Sequence, residues 1–172
     1  EQSPLDQQFG RVQSVVQFRR QLEDVTDVDH VPADPGPLIR TLSGEILQRA
    51  QRLENELATA EIDVRENVSA YVDDLAAETG RMNGELDGAS SPLSVTVAMM
   101  NYNHDRQIND LRRIRAEHAD ALSTDAEEAI DELLRLLQYF AAARQYFKTL
   151  YTKSEFASLS RWLVLPSIPA VA

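Results

Sequence analysis

The apolar residues near the start of the chain recur at steps of three and four, which place them on one face of an α-helix. They are Leu5, Phe9, Val12, Val16 and Leu22. This pattern predicts a short first helix over 5–24. The segment 29–37 ends it, because this segment contains three prolines and a glycine.

The longest predicted helix covers 38–80, where apolar residues recur every eleven positions in two rows. The first row is Leu42, Leu53, Val64 and Leu75, and the second is Ile46, Leu57 and Val68. Eleven residues make three turns at about 3.67 residues per turn, so both rows follow the helix axis almost straight. A continuous helix of this length spans about 60 Å. Gly80, Gly84 and Gly88 predict its end and a hinge-like loop.

A third helix is predicted over 92–122. Ser91 is a favourable N-cap residue, and Pro92 suits the first helical position because its missing N–H group would be unpaired there anyway. The predicted core stripe of this helix is Leu93, Val97, Met100, His104, Ile108, Leu111 and Leu122. This stripe is expected to pack along the rows of the second helix.

The fourth predicted helix covers 125–160. Thr124 and Glu127 fit the capping-box pattern, in which each side chain pairs with the other residue's backbone N–H group. Together the four helices predict an all-α fold, an elongated antiparallel bundle joined up-and-down. The bundle is expected to form a single domain over 1–161, followed by a short apolar tail over 162–172.

The charged residues favour an acidic, salt-adapted protein. The net charge is −11, with 14 Asp, 14 Glu and 15 Arg but only two Lys. Abundant carboxylates with almost no lysine are typical of proteins from salt-loving archaea, since concentrated salt screens the repulsion between the carboxylates. An ordinary acidic protein from a GC-rich genome is the alternative. An acidic surface repels nucleic acid, so no nucleic-acid partner is predicted. The absence of cysteine excludes disulfides and zinc–thiolate sites.

Charge and aromatic content both change near residue 133. Residues 1–132 carry 27 acidic and 12 basic residues, a net charge of −15. Residues 133–172 carry one acidic and five basic residues, a net charge of +4, together with seven of the eleven aromatic residues. Tryptophan and tyrosine favour the headgroup region of a membrane, and basic residues favour its anionic cytoplasmic leaflet.

This change predicts that the C-terminal part of the chain lies near a membrane. The predicted membrane-proximal residues are Arg144, Lys148, Tyr151, Lys153, Phe156, Arg161 and Trp162. The tail 162–172 is far shorter than the about 20 residues that span a bilayer, so it is expected to be at most the start of a transmembrane segment. The alternative is that the aromatic residues pack a helical core and that the tail caps the bundle.

The stretch 137–151, with the sequence LQYFAAARQYFKTLY, and residues 159–163, with the sequence LSRWL, carry a family resemblance. They look like the juxtamembrane part of helical membrane-associated proteins of unknown function in haloarchaea. The resemblance covers about a quarter of the chain and implies no activity, cofactor or site residue. It supports membrane proximity only.

The side chains that catalyse reactions or bind metals are sparse in this sequence. His104 and His118 are fourteen residues apart, about 21 Å along one helix, so one ion cannot bridge them. Neither the Glu-x-x-His spacing of di-iron bundles nor the His-Glu-x-x-His zinc motif occurs. The chain is therefore predicted to be no enzyme and to use no metal or cofactor. The basic cluster of Arg112, Arg113 and Arg115 is the candidate for binding an acidic partner or a phosphate. The alternative is that these arginines pair with nearby acids such as Asp110 and Glu117.

Three functional hypotheses follow from these patterns. The first is a non-enzymatic interaction or assembly domain of a membrane-associated halophilic protein, on the cytoplasmic face of the membrane and with a protein partner or a second copy of itself. The second is a membrane-anchored, extracytoplasmic bundle that senses a ligand between two membrane helices. The third is an enzyme or metal protein with a site in the bundle core, and a soluble scaffold is a further alternative. Helical bundles serve all three roles, so the fold alone does not decide among them.

Overall fold

The computed structural model of the chain describes residues 35–89 and 91–164, with side chains as far as residue 149. The predicted first helix over 5–24 and the last residues of the apolar tail, 165–172, lie outside the described residues.

The described part of the chain is helical and contains no strand, which confirms the all-α bundle. The helices are α1 Pro35–Glu56, α2 Ile62–Asp87, α3 Pro92–Asn101, α4 His104–Glu117 and α5 Thr124–Val164, with a single 3₁₀ turn at Ala119–Ala121. α3 and α4 follow each other along one column. Four columns therefore form the bundle, and α5 packs against α1, α3 and α4.

Neighbouring columns run antiparallel. Arg40 near the start of α1 pairs with Asp87 at the end of α2, with a distance of 2.7 Å between Nη1 and Oδ1. Both ends of α4 are also joined to α2, because Asn67 lies 3.0 Å from His118 and Arg106 lies 2.7 Å from Asp74. The up-and-down order follows from these pairs, and the short connections between columns allow it.

A single apolar core runs between the columns and is centred on α5. Its largest fully buried side chains are Phe140, Ile39, Leu42, Ile46, Leu53, Leu75, Leu86, Met99, Leu111, Ile114 and Ile130. Burial of one such side chain contributes about 1.5–3 kcal/mol. The core thus stabilises the contacts between columns that position the polar groups described below.

The helix predicted over 38–80 is interrupted at residues 57–61, where the chain turns back. This segment contains neither proline nor glycine, so local sequence gives no signal for a break. The reason lies in packing. A continuous helix would leave half of its apolar residues without a partner, whereas two antiparallel helices bury them against each other. Leu57 in the turn is itself buried.

α2 also continues beyond the predicted end of that helix. Gly80 and Gly84 lie inside α2, and the helix ends at Asp87 with Gly88 as its C-cap residue. The predicted hinge at Gly80 and Gly84 is therefore wrong. Glycine lowers helix stability by only about 1 kcal/mol, which the contacts of α2 with its neighbours outweigh.

The helix predicted over 92–122 is interrupted at Tyr102, which adopts an extended backbone with φ −81° and ψ 124°. Asn103 then caps α4, since its side chain accepts a hydrogen bond from the Arg106 N–H group at 3.2 Å. The predicted cap at Ser91 is confirmed: its side chain accepts from Ser94 N–H, and the Ser94 hydroxyl accepts from Ser91 N–H.

The interruption changes which face of α3 is buried. Leu93, Val97 and Met100, predicted as core residues, are 40%, 47% and 44% exposed. The buried residues of α3 are instead Val95, Thr96, Ala98 and Met99. A continuous helix over 92–122 would have one apolar stripe, but the extended residue between α3 and α4 rotates the second helix relative to the first.

The start of α5 lies close to its predicted position, but its cap differs. The Ser123 hydroxyl accepts a hydrogen bond from Ala126 N–H at 3.2 Å, and the Ser123 carbonyl accepts from Glu127 N–H at 2.9 Å. The cap is thus Ser123, one residue before the predicted Thr124. Both residue types are favourable caps, so the sequence located the boundary without distinguishing between them.

Candidate functional site

A polar seam connects α2 and α4 in the interior of the bundle. Its central residues are Glu78, which is 7% exposed, and Gln107, which is fully buried. The Gln107 side-chain amide donates to the Glu78 carboxylate at 2.6 Å and to the Asp74 carboxylate at 3.0 Å. Each of these acceptors lies on α2 and the donor on α4, so the seam fixes the register of the two helices.

Glu78 also satisfies the break between α3 and α4. Its second carboxylate oxygen accepts a hydrogen bond from the Asn103 backbone N–H group at 2.8 Å. The break leaves backbone N–H groups at the start of α4 without a helical partner, and a typical intramolecular hydrogen bond contributes about 0.5–1.5 kcal/mol. The first role of the buried Glu78 is therefore structural, because it stabilises the non-helical residues between the two helices.

The other side of the same break is held by α5. The Arg144 guanidinium lies 3.2 Å from the His104 Nδ1 atom and donates to the Met100 carbonyl at 3.3 Å. His104 is buried and its ring lies 6.3 Å from the ring of Phe140. These contacts place a basic residue at the C-terminal end of α3, where helix carbonyls attract positive charge.

The seam ends at the surface in a pocket of about 180 Å³ between α2 and α4. We call it the α2–α4 pocket, and it is lined by Tyr71, Asp74, Arg106, Asp110, Arg113 and Ile114, among others. Its charged groups alternate in sign. Arg106 pairs with Asp74 at 2.7 Å and Asp110 at 3.5 Å, and Arg113 pairs with Asp110 at 3.2 Å.

Tyr71 lines the α2–α4 pocket from the core side and is 6% exposed. Its hydroxyl has no hydrogen-bond partner among the described residues. Burial raises the pKa of Tyr71 far above its ordinary range, and the nearby carboxylates of Asp110 and Asp74 raise this pKa further. The hydrogen bond to Asp74 raises the pKa of Arg106 as well, so this arginine stays charged.

The predicted partner-binding arginines are spread over the outer face of α4. Arg113 pairs within its own helix, with Asp110 and with Glu117 at 3.6 Å, and Arg115 pairs with Asp131 of α5 at 2.7 Å. Arg112 is exposed. The three residues therefore do not converge on one point, and two of them are engaged with carboxylates.

Of the predicted membrane-proximal residues, the structure describes the side chains of Arg144 and Lys148. Arg144 is half-buried at the break between α3 and α4, whereas Lys148 is exposed one turn further along α5. The remaining residues, Tyr151, Lys153, Phe156, Arg161 and Trp162, lie on the last turns of α5, and their side chains are outside the described part.

No pattern in the sequence predicted the polar seam or the burial of Tyr71. Asp74 and Glu78 are two of 28 acidic residues, and nothing in their spacing distinguishes them from exposed ones. Only the break at Tyr102 brings Asn103 and Gln107 to Glu78, so a continuous helix could not predict their contact.

The helices described here contain no stretch that is both long and apolar enough to cross a membrane. Within residues 35–89 and 91–164, no group of three or more His, Asp or Glu side chains is placed to hold a metal ion.

The chain is thus an all-α bundle in which the polar seam forms a buried contact between the second and third columns. The chain belongs to DUF7972, a family of unknown function, whose model matches residues 1–172. Searches among curated proteins and among solved structures gave no match. The family match confirms the unknown-function part of the resemblance. The haloarchaeal and membrane-associated parts stay predictions.

Proposed function

We propose that this chain is a non-enzymatic interaction domain of a membrane-associated halophilic protein, and that the C-terminal end of α5 contacts the cytoplasmic face of the membrane. The observation that carries this proposal is the length of α5. It has 41 residues, whereas α1 and α2 have 22 and 26.

Arg144 marks the level at which α5 passes the end of α3, because it binds the Met100 carbonyl. From Met100 back to its first residue, α3 extends about 12 Å, while α5 continues from Arg144 to Val164 for about 30 Å. Since α3 runs antiparallel to α5, the last turns of α5 extend well beyond the start of α3.

The sequence of this extension suits an anionic lipid surface. It carries Lys148, Lys153 and Arg161 with a single acidic residue, Glu155, whereas the rest of the chain is strongly acidic. Each basic residue close to an anionic leaflet contributes about 1 kcal/mol. The aromatic residues on the same turns, Trp162 among them, favour the interface between headgroups and acyl chains.

Vesicle flotation tests the membrane part of the proposal. The full chain is expected to float with vesicles that contain phosphatidylserine and to stay at the bottom with vesicles of phosphatidylcholine alone. The triple variant K148Q/K153Q/R161Q is expected to lose this binding. The matched control R112Q/R113Q/R115Q removes the same charge from α4 and is expected to keep it. Equal loss in both variants, or no flotation of the unchanged chain, would reject membrane contact through α5.

The interaction part of the proposal rests on a separate surface of α3. Leu93, Val97 and Met100 form an exposed apolar ridge beside a groove of about 490 Å³ between α2 and α3. The groove contains small residues, among them Gly84 and Gly88. A ridge next to a groove is self-complementary, because a two-fold axis places the ridge of each copy in the groove of the other.

We therefore propose self-association through this ridge. Sedimentation equilibrium is expected to show a dimer whose population rises with protein concentration. Val97→Glu is expected to abolish the dimer without unfolding the chain, while Ala142→Glu, an exposed position on α5, is the matched control. A chain that stays monomeric at all concentrations, or a V97E variant that still dimerises, rejects this surface.

A further inference from the structure

The apolar ridge on α3, formed by Leu93, Val97 and Met100, offers a binding surface in the single chain. Its residues are each at least 40% exposed and lie beside the groove of about 490 Å³ between α2 and α3. Small residues such as Gly84 and Ala98 line this groove, so a helix can approach it closely. Contiguous exposed apolar surface marks binding sites in soluble proteins.

The apolar stripe of residues 5–24 has the same spacing as this ridge. We call residues 5–24 the N-terminal segment, and they lie outside the described residues. The ridge residues of α3 follow one another at steps of four and three residues. The stripe of the N-terminal segment repeats these steps, with Leu5, Phe9, Val12 and Val16. Two helices with such stripes pack side by side, each ridge lying along a groove of the other.

The described bundle begins beside the groove. Gly36 in the first turn of α1 lies against α3, since a Cβ atom at its position would be 3.9 Å from the Val95 Cγ2 atom. One turn later Arg40 pairs with Asp87 at the end of α2, at 2.7 Å. Gly88, the next residue, lines the groove. The start of α1 and the groove therefore share one end of the bundle.

The connection between the N-terminal segment and α1 is long enough for docking within one chain. It consists of residues 25–34, and ten extended residues span up to about 33 Å. A segment that lies along the groove and ends near the start of α1 runs antiparallel to α3, which continues the up-and-down order of the columns. A short linker also holds the segment at an effective concentration on the order of 1 mM, so it competes well with a second copy.

We propose that the N-terminal segment docks along the α3 ridge of its own chain and thereby limits self-association. The segment covers the surface through which two copies would otherwise pair, so a dimer forms only when the segment leaves it. This regulatory role rests on the self-association proposed above, whereas the docking itself does not. The two are therefore tested by separate measurements.

A spin label tests the docking directly, because the chain contains no cysteine. Ser14→Cys places one nitroxide on the polar side of the segment, and the ¹⁵N-labelled full chain is measured by NMR at low concentration. The label is expected to broaden the amide signals of α3 more than those around Thr124 at the other end of the bundle. A mixture of spin-labelled, ¹⁴N chain with unlabelled, ¹⁵N chain is expected to show no such broadening.

Two double variants in the same spin-labelled chain provide the matched comparison. V12E/V16E adds two charges to the apolar stripe and is expected to remove the broadening at α3. Q17E/Q21E adds the same charges, at the same spacing, to the polar side and is expected to keep it. Val97→Glu changes the ridge instead of the segment, is likewise expected to remove the broadening, and serves if V12E/V16E disturbs the fold.

Sedimentation equilibrium without the spin label tests the regulatory role. V12E/V16E is expected to dimerise about tenfold more tightly than the unchanged chain, and Q17E/Q21E to dimerise like it. Docking is overturned by the absence of broadening at α3, by its persistence in V12E/V16E, or by equal broadening in the mixture, which places the segment on a second copy. Regulation is overturned if V12E/V16E loses the broadening without a tighter dimer. A chain that shows the broadening but never dimerises supports docking and rejects self-association.

Discussion

The carboxylate of Glu78 on α2 accepts the side-chain amide of Gln107 on α4 at 2.6 Å, and both residues are buried. This contact connects the two features that distinguish the fold from a regular bundle. One is the break between α3 and α4, which Glu78 stabilises through Asn103. The other is the α2–α4 pocket, which begins where Gln107 reaches Asp74.

Loss of this carboxylate is predicted to destabilise the bundle. Glu78→Ala leaves the buried Gln107 amide without its closer acceptor and removes the acceptor of the Asn103 N–H group. The expected decrease in the free energy of unfolding is about 2–3 kcal/mol. Urea unfolding followed by circular dichroism measures it. Glu66→Ala, an exposed change on the same helix, serves as the control and is expected to stay within about 0.5 kcal/mol. Equal effects of the two changes contradict the role of the seam.

The face of α3 that is buried gives a second prediction, which compares the effects of changing two neighbouring methionines on stability. Met99 is fully buried and Met100 is 44% exposed. Met99→Ala is expected to lower the free energy of unfolding by about 2–5 kcal/mol, because it leaves a cavity in the core. Met100→Ala is expected to change it by less than about 0.5 kcal/mol. Urea unfolding of both variants compares the two losses of stability. A larger loss for Met100→Ala would mean that Met100 lies in the core, as the sequence predicted.

These methionines show why the sequence predicted the fold class better than its details. The rows of the second predicted helix are buried as expected, including Leu42, Val64 and Leu75, although the helix is interrupted between them. Burial follows from apolar spacing, which the sequence displays directly. The turn at 57–61 depends on contacts between distant columns, and no local residue type marks it.

The candidate site was less predictable than the core. Asp74, Glu78 and Gln107 come together because Tyr102 leaves the helix and shifts the following residues around the axis. The break at Tyr102 therefore decides which polar groups of the two columns face each other. In a chain with 28 acidic residues, the sequence does not distinguish a buried carboxylate such as that of Glu78 from the exposed ones.

Arg144 provides a third prediction. It concerns the contacts that Arg144 makes at the break between α3 and α4, not contact with a membrane. Arg144→Ala removes its contacts with His104 and with the Met100 carbonyl, so the free energy of unfolding is expected to fall by about 1–2 kcal/mol. Arg135→Ala removes an exposed charge from the same helix and is expected to be nearly neutral. Thermal unfolding without lipid measures both, and a neutral Arg144→Ala variant would show that these contacts contribute no stability.

The buried tyrosines predict that the bundle loses stability in alkaline solution. Burial raises the pKa of Tyr71 and of Tyr102 above their ordinary values in the folded chain. Above about pH 10 the unfolded chain therefore releases phenolic protons that the folded chain retains, and the free energy of unfolding decreases as pH rises. The stabilising effect is complete below this pH and diminishes above it by about 1.4 kcal/mol per pH unit for each tyrosine.

Urea unfolding at about pH 8 and about pH 11 tests the direction and the size of this change in the free energy of unfolding. The double variant Y71F/Y102F has no phenol at either position, so its stability is expected to decrease less between the two pH values than that of the unchanged chain. Exposed groups titrate alike in both proteins, and the comparison between them isolates the two buried phenols. If both proteins lose the same stability, the phenols of Tyr71 and Tyr102 ionise as readily in the folded chain as in the unfolded one, and the burial of the Tyr71 hydroxyl beside the α2–α4 pocket is wrong.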